Sequence, residues 1–204
     1  MRSHPRAETR DRLLKAGQEL FYEKGYGATG LAELLDRANA NSGSFYHFFE
    51  SKEALLNAVL ERYVELLEPE LLAPINKKVV DPIERVFALL AQYRAAIIAT
   101  KFGYACPIGR IAFEVEPEMA RVHERVARNF TAWSEAVRAN LEAARDRFPR
   151  GYDLQRLSVF VLTVMEGAVM QARAHKSIEP FDASVEMLRE HFVLLQQNAN
   201  RRRC

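Results

Sequence analysis

The chain has 204 residues, of which 49% are hydrophobic, and its 29 basic and 27 acidic side chains leave a formal net charge of +2. This length and composition provide a buried core for two domains, whereas the nearly neutral balance excludes a uniformly basic surface that binds nucleic acid through charge alone. No segment reaches the roughly eighteen uninterrupted apolar residues of a membrane helix. Because no signal-peptide core follows Met1, we expect a cytoplasmic protein.

Apolar residues at helical spacing, together with capping and breaking residues, predict an all-α chain without strands. The predicted helices span residues 8–24, 30–37, 41–47, 52–73, 82–101, 107–114, 117–146, 154–176 and 182–199. Pro69 lies inside the fourth of these helices, where it is expected to kink or end the helix because proline lacks the backbone N–H.

The segment from residue 29 to residue 53 predicts two short helices joined by a tight turn. Thr29 is placed to cap the first helix, whose leucines then recur at helical spacing. Asn39 tolerates the left-handed conformation that a tight turn requires, and Asn41 can cap the second helix. This pattern is typical of a helix-turn-helix that binds DNA.

The second short helix has two different sides. Phe45 and Phe49 are four residues apart, so they are expected to anchor the helix together. The other side carries small and hydrogen-bonding residues: Ser42, Gly43, Ser44, Tyr46 and His47. Small residues allow close approach to DNA, tyrosine and histidine can donate to phosphate oxygens, and Lys52 adds a cation. The alternative is an ordinary helical hairpin in which Tyr46 and His47 are surface rings.

About fifty residues of this region resemble the N-terminal domain of the tetracycline-repressor (TetR) family. The matching residues have the family's order and spacing: Phe21, Gly25, Thr29, Gly43, Tyr46, Phe49, Lys52 and Leu55. The resemblance implies a three-helix DNA-binding domain at residues 1–52 and a larger helical ligand-binding and dimerisation domain at residues 53–200. It implies DNA contacts from Thr29, Ser42, Gly43, Ser44, Tyr46, His47 and Lys52.

Three positions depart from the family pattern, which usually has Ala at Leu35, Gly at Asn39 and Lys or Arg at Ser42. A further basic run lies at the N-terminus: Arg2, Arg6, Arg10, Arg12 and Lys15. This run is either an arm that reaches along DNA or a solvated terminus. The basic tail from Arg201 to Cys204 is expected to be disordered.

The second domain is rich in bulky apolar residues, among which a ligand cavity needs a few polar groups. The candidates are Tyr93, Arg94, Cys106, Arg110, His123, Trp133, Glu166 and Gln171. Residues 103–114 resemble the Gly-Cys-x-x-Gly-Asn-x-x-x-Glu stretch of one branch of the family, with Ala105 before Cys106 and Arg110 in place of Asn. In that branch a short helix links the ligand pocket to the helix that carries the DNA-binding domain, and Glu114 is expected to be structural.

The role of Cys106 has two interpretations. Arg110 or a helix N-terminus can lower the pKa of the thiol and make it a sensing group, or Cys106 is a small packed residue. A disulfide with Cys204 is not expected in a cytosolic chain, so both cysteines are predicted to be reduced.

The last two helices carry apolar residues at three- and four-residue spacing, which predicts a four-helix dimer interface. These residues are Leu157, Val161, Met165, Ala168, Ala172, Val185, Leu188, Phe192 and Leu195. The alternative is that both apolar faces are used within one chain. A symmetric dimer would place two recognition helices one DNA turn apart, about 34–36 Å, and so read a palindrome.

The sequence therefore predicts a dimeric transcriptional regulator, a repressor that a small molecule releases from its operator. The alternative is an adaptor or sensor of the same fold that has lost specific DNA binding. The presence of Ser42, where the family usually has Lys or Arg, points to this alternative. The sequence lacks common nucleotide-binding, zinc-binding and redox motifs, and its five histidines are scattered, so we expect neither an enzyme nor a cofactor or metal site.

Overall fold

The computed structural model describes residues 5–201, with side chains from residue 7 onward. Arg2, the side chain of Arg6, and the tail from Arg202 to Cys204 lie outside the described residues. Over the described range the regular elements are helical, which confirms the predicted all-α class. The helices are α1 Pro5–Lys24, α2 Leu31–Arg37, α3 Ser42–Phe48, α4 Lys52–Leu66, α5 Ala73–Lys78, α6 Pro82–Ala99, α7 Pro107–Glu114, α8 Ala120–Ala143, α9 Leu154–His175 and α10 Glu179–Arg201.

Pro69 interrupts the predicted helix at 52–73, as expected. α4 ends at Leu66, and a π-helical segment, Leu67–Leu72, connects it to α5. Proline supplies no N–H to the helical ladder, so the backbone changes its hydrogen-bond register there. The prediction missed α5, and the described residues therefore hold ten α-helices where nine were predicted.

The chain divides into two compact units. Each unit is made of two segments of the chain. The first unit consists of the chain up to Glu65 together with Pro107–Phe130, and the second unit consists of Leu66–Cys106 together with the chain from Thr131 onward. The compact units thus divide at other positions than the predicted functional boundary at residue 52, which stays a prediction. α7 and the first part of α8 belong to the first unit.

The first unit has an apolar core between α1, α2, α3 and α4. Its fully buried side chains include Leu13, Leu20, Phe21, Leu34, Phe45, Leu55, Leu56, Val59 and Leu60. Glu61 of α4 forms ion pairs with Arg125 and Arg128 of α8, and the Asn129 amide donates to the Leu60 carbonyl at 3.0 Å. These bonds attach the beginning of α8 to α4.

The second unit is built around α9, which packs against α6 and α10. α9 is long and apolar enough to cross a membrane by length and composition, and 44% of that apolar stretch is buried inside the protein. Asp81 caps α6 by accepting the N–H groups of Ile83 and Glu84, and Asp153 caps α9 by accepting that of Arg156. These caps fix where both helices begin.

Candidate functional site

The turn between α2 and α3 has the geometry predicted for it. Asn39 adopts a left-handed conformation with φ of +46°, and the Asn41 side chain accepts the Ser44 N–H at 2.8 Å to cap α3. Arg12 of α1 donates from Nε to the Ala38 carbonyl at 2.9 Å. The guanidinium of Arg12 therefore holds the end of α2 in place, rather than extending along a free arm.

α3 presents one buried and one exposed side. Phe45 and Phe49 are buried, with ring centroids 5.8 Å apart, which confirms that they anchor the helix. Tyr46 is 57% exposed. Ser42, Gly43 and His47 are also exposed, and Ser44 is half-buried. The predicted DNA-contacting residues of α3 thus lie together on a face that the core does not use.

Thr29 has a different role from the one predicted. The N-cap of α2 is Gly30, without a side-chain cap. Thr29 is 1% exposed, and its hydroxyl donates to the Gly25 carbonyl at 2.7 Å and more weakly to that of Leu20 at 3.3 Å. Because tertiary packing turns this hydroxyl back toward the end of α1, the predicted cap is wrong and the side chain is not accessible to DNA.

Lys52 is largely occupied within the protein. Its Nζ donates to the carbonyls of Tyr26 and Thr29, both at 2.9 Å, and lies 4.3 Å from the centroid of the Tyr26 ring. An ammonium has three N–H donors, and these two carbonyls use two of them. Lys52 therefore holds the turn between α1 and α2 in addition to its predicted charge contribution.

α7 contacts the same turn. Arg110 Nη1 donates to the carbonyls of Tyr22 at 2.8 Å and Glu23 at 3.3 Å, and its Nε donates to Glu114 Oε1 at 3.3 Å. Glu114 Oε2 accepts the Gly27 N–H at 3.0 Å. The predicted structural role of Glu114 agrees with this geometry. The prediction of Arg110 as a ligand contact is wrong, because its guanidinium is bound to α1 and to Glu114.

Three other predicted ligand contacts are surface residues. His123 is an exposed residue of α8 in the first unit, with Nε2 3.2 Å from the Glu116 carbonyl oxygen. Arg94 forms a two-bond ion pair with Asp182 of α10, at 2.7 and 2.8 Å. Gln171 is exposed. Local sequence could not distinguish these surface groups from groups that line a cavity.

The remaining candidates of the second unit form one cluster. The ring centroid of Tyr93 lies 5.7 Å from that of Trp133 and 5.9 Å from that of Tyr104. Tyr93 is almost fully buried, and this burial raises its pKa well above 10. We name the set Tyr93, Tyr104, Cys106, Trp133 and Glu166 the aromatic cluster. Tyr104 was missed as a site residue because the sequence marked it only as a bulky apolar position.

Cys106 and Glu166 form the polar part of the aromatic cluster. Cys106 is 8% exposed, and its thiol hydrogen-bonds to the Glu166 carboxylate. Burial raises the pKa of Glu166, and the bond to Cys106 partly opposes that increase. Oε1 of Glu166 is buried without a hydrogen-bond donor in the described protein. The cluster thus combines packed aromatic rings with one unsatisfied acceptor.

The predicted dimer residues are used within one chain. All nine except the half-buried Val185 are buried, in the packing of α6, α9 and α10. The predicted assignment to a subunit interface is therefore corrected, because periodicity identifies a buried face without identifying what covers it. A different set of large apolar residues is exposed on α9 and α10: Val159, Phe160, Met170, Met187, Val193 and Leu194. A cleft of about 540 Å³ lies beside Phe160 and His191.

Comparisons with known proteins match both parts of the chain. Residues 13–59 match the model for bacterial regulatory proteins of the tetR family, and residues 82–187 match the C-terminal domain of LmrA/YxaF-like transcriptional regulators. The HTH-type transcriptional repressor DhaR of Mycobacterium sp. (strain GP1) is 27% identical over 195 residues, which cover 95% of this chain and 96% of DhaR. The HTH-type transcriptional repressor NemR of Escherichia coli K12 is 30% identical over 186 residues, with 89% and 92% coverage.

Solved structures share the fold over nearly the whole chain. A TetR transcriptional regulator from Chloroflexus aurantiacus is 26% identical with a TM-score of 0.77, and the match covers 92% of this chain and 96% of that one. The reduced form of E. coli NemR has a TM-score of 0.75 at 23% identity, with 89% and 96% coverage. These likenesses extend the local resemblance of the helix-turn-helix to both units.

Proposed function

Because the chain belongs to the TetR family of DNA-binding, ligand-responsive transcriptional regulators, which are not enzymes, we propose that it represses transcription by binding a palindromic operator as a dimer. In this proposal, a small molecule that binds the second unit releases the protein from the operator. The observation that carries this proposal is the exposed polar face of α3 on a helix whose aromatic side is fully buried. That face favours DNA binding over an adaptor of the same fold.

The α3 face suits a DNA backbone and groove. Tyr46 and His47 donate hydrogen bonds to phosphate oxygens. Gly43 allows close backbone approach, and packing does not require a glycine there, because an added Cβ would meet only the Asn41 side chain at 3.4 Å. Lys52 contributes its remaining donor at the start of α4, whereas Thr29 acts indirectly by holding the turn before α2.

The dimer surface in this proposal is the exposed apolar side of α9 and α10. Phe160 is 48% exposed and Leu194 is 56% exposed, with Met187 at 64%. Large apolar groups on two neighbouring helices are typical of a face that another copy covers. Two helices from each copy then form a four-helix interface of the kind expected from the sequence. The side of α9 and α10 that faces the other copy is the exposed one, opposite to the buried side that the sequence analysis named.

The effector site in this proposal is the aromatic cluster. In this proposal the aromatic rings contact an apolar or aromatic effector, and Oε1 of Glu166, which lacks a donor within the protein, accepts a hydrogen bond from the effector. Cys106 is a packed residue of this site, because it is 8% exposed and its thiol is hydrogen-bonded to Glu166. The protein acts in the cytoplasm, where bacterial operator DNA lies.

Selection of genomic fragments by the purified protein, at about 50 and about 200 mM salt, tests the proposal. We expect enrichment of one short palindrome, with affinity that falls steeply between the two salt concentrations because phosphate contacts release counterions. No enrichment at either salt concentration would contradict the proposed function.

Two substitutions in α3 localise the interface. Gly43→Glu should abolish operator binding by placing a carboxylate against phosphate, and Tyr46→Phe should weaken it. Gln92→Glu adds the same charge at an exposed position of α6, outside the proposed dimer surface, and should leave binding unchanged. Intact binding by Gly43→Glu would place DNA on a different surface.

A further inference from the structure

Polar side chains from two distant segments hold the turn between α1 and α2. Lys52 Nζ donates hydrogen bonds to the carbonyls of Tyr26 and Thr29. Arg110 and Glu114, about ninety residues later in sequence, bind the same turn from α7. All of these residues belong to the first unit. The segment that leads into the helix-turn-helix is thus fixed by side chains outside it.

Arg110 satisfies the end of α1. The last carbonyls of a helix lack intrahelical donors, and Arg110 Nη1 supplies one to Tyr22 at 2.8 Å and to Glu23 at 3.3 Å. If α1 continued, the Gly27 N–H would donate to the Glu23 carbonyl. It donates to Glu114 instead, so the two α7 side chains together replace the next turn of the helix.

Glu114 fits closely over the turn. Gly25 has φ of +92°, and an added Cβ would lie 2.2 Å from Glu114 Oε1. The carboxylate therefore occupies the space that any larger residue at position 25 needs. Arg110 Nε holds the carboxylate there at 3.3 Å. We name Arg110 and Glu114 the α7 clamp.

The position of α2 depends on this turn. The N-cap of α2 is Gly30, which supplies no side-chain cap, so the turn before it helps to set where α2 begins, while Leu34 and the Arg12 bond to Ala38 hold the rest of the helix. α7 has its own apolar anchors, Ile108 and Ile111, which are 3% and 2% exposed. The buried isoleucines therefore hold α7 against the first unit. The polar bonds of the α7 clamp are not needed for that attachment, and they act on the geometry of the turn.

We propose that Arg110 and Glu114 are positioning residues for operator binding, which set the angle between α1 and the α2–α3 pair. The inference rests on the proposed function, since operator affinity is the property that the clamp sets. Neither side chain contacts DNA in this role. Both act through the backbone of residues 22–27, and α7 thereby influences α3 without touching it.

Operator affinity of clamp variants tests the inference. Arg110→Met and Glu114→Ala should each lower affinity about tenfold, which corresponds to about 1.4 kcal/mol. The double variant should lose little more than either single variant, because the two side chains act as one unit. Arg110→Lys keeps a charge and a donor and should recover part of the loss. Wild-type affinity in both single variants would overturn the inference.

Two controls separate the clamp from a simple ion pair or a DNA contact. The exchange Arg110→Glu with Glu114→Arg should fail to restore affinity, because a carboxylate cannot donate to carbonyls and a guanidinium cannot accept an N–H. Restoration by this exchange would show that only the ion pair matters. The matched variant Arg138→Met breaks an exposed ion pair with Glu135 in α8 and should have no effect on affinity.

The salt dependence of binding gives a further readout. A positioning residue leaves the number of phosphate contacts unchanged, so the slope of log affinity against log salt should match that of the wild type. A slope reduced by about 1 in Arg110→Met would mean that Arg110 contacts phosphate directly, and would overturn the inference.

Amide hydrogen exchange of Gly27, measured without DNA, keeps the inference testable apart from the proposed function. Glu114→Ala should raise its exchange rate, whereas Arg138→Met should not. If the wild type selects no DNA, the proposed function fails, and the Gly27 rate still judges the clamp. An unchanged rate would overturn the clamp in either case.

Discussion

Gly25→Ala tests the backbone geometry after α1. Gly25 has φ of +92°, a conformation that residues with a Cβ rarely adopt, and the new Cβ would lie 2.2 Å from Oε1 and 2.7 Å from Oε2 of Glu114. The substitution therefore strains the backbone and displaces the carboxylate at the same time.

The two effects have separate magnitudes. A non-glycine residue held in an unfavourable φ region costs about 1–3 kcal/mol. Displacing Glu114 also removes its hydrogen bond from the Gly27 N–H, and a hydrogen bond to a charged group contributes about 1.5–3 kcal/mol. We therefore expect Gly25→Ala to lower the free energy of unfolding by about 2.5–6 kcal/mol.

Urea unfolding followed by circular dichroism measures this loss, with Gly43→Ala as the matched control. Gly43 is helical, and its added Cβ would meet only the Asn41 side chain at 3.4 Å, so stability should be unchanged or raised by up to about 1 kcal/mol. In a Glu114→Ala background the Gly25→Ala cost should shrink to the backbone part. A loss below about 1 kcal/mol in Gly25→Ala alone would refute the reasoning.

Three further predictions concern the second unit. Phe192→Ala should cost about 3–5 kcal/mol in urea unfolding, because the ring is 1% exposed and packs 5.3 Å from Phe87; a loss below 1 kcal/mol would contradict this packing. Leu194→Glu should convert the proposed dimer into a monomer in light scattering at micromolar concentration, and an unchanged mass would remove the α9–α10 surface from the proposal. Burial raises the pKa of Glu166 above 4.5, so the folded state binds its proton more tightly and stability falls as the pH rises from 4.5 through the folded-state pKa. Glu166→Gln should lack this fall when urea midpoints are compared between pH 4 and pH 7, and identical pH profiles would contradict it.

Local signals in the sequence predicted local geometry well. Asn39 and Asn41 marked the turn and cap of α3, and the four-residue spacing of Phe45 and Phe49 marked its buried side. Pro69 marked the end of α4. Each of these features depends on residues within one helical turn, which is the range over which caps, spacing and proline act.

Features that depend on distant partners were not predictable in this way. Thr29 has the composition of a cap, but its hydroxyl binds the end of α1. Arg110 is a polar residue near an apolar segment, and only the fold shows that its guanidinium binds carbonyls 87 and 88 residues earlier. Periodicity identified the buried side of α9 and α10, yet it could not show that their own chain covers that side.

The aromatic cluster contains an intrinsic optical reporter. Trp133 is the single tryptophan of the chain, and its ring centroid lies 5.7 Å from that of Tyr93. Emission excited at the red edge of tryptophan absorption therefore comes from this one position, without an attached dye. A compound library can be screened by titration against the native, unlabelled protein. A compound that quenches or shifts this emission affects the surroundings of Trp133, and so is a candidate ligand of the aromatic cluster.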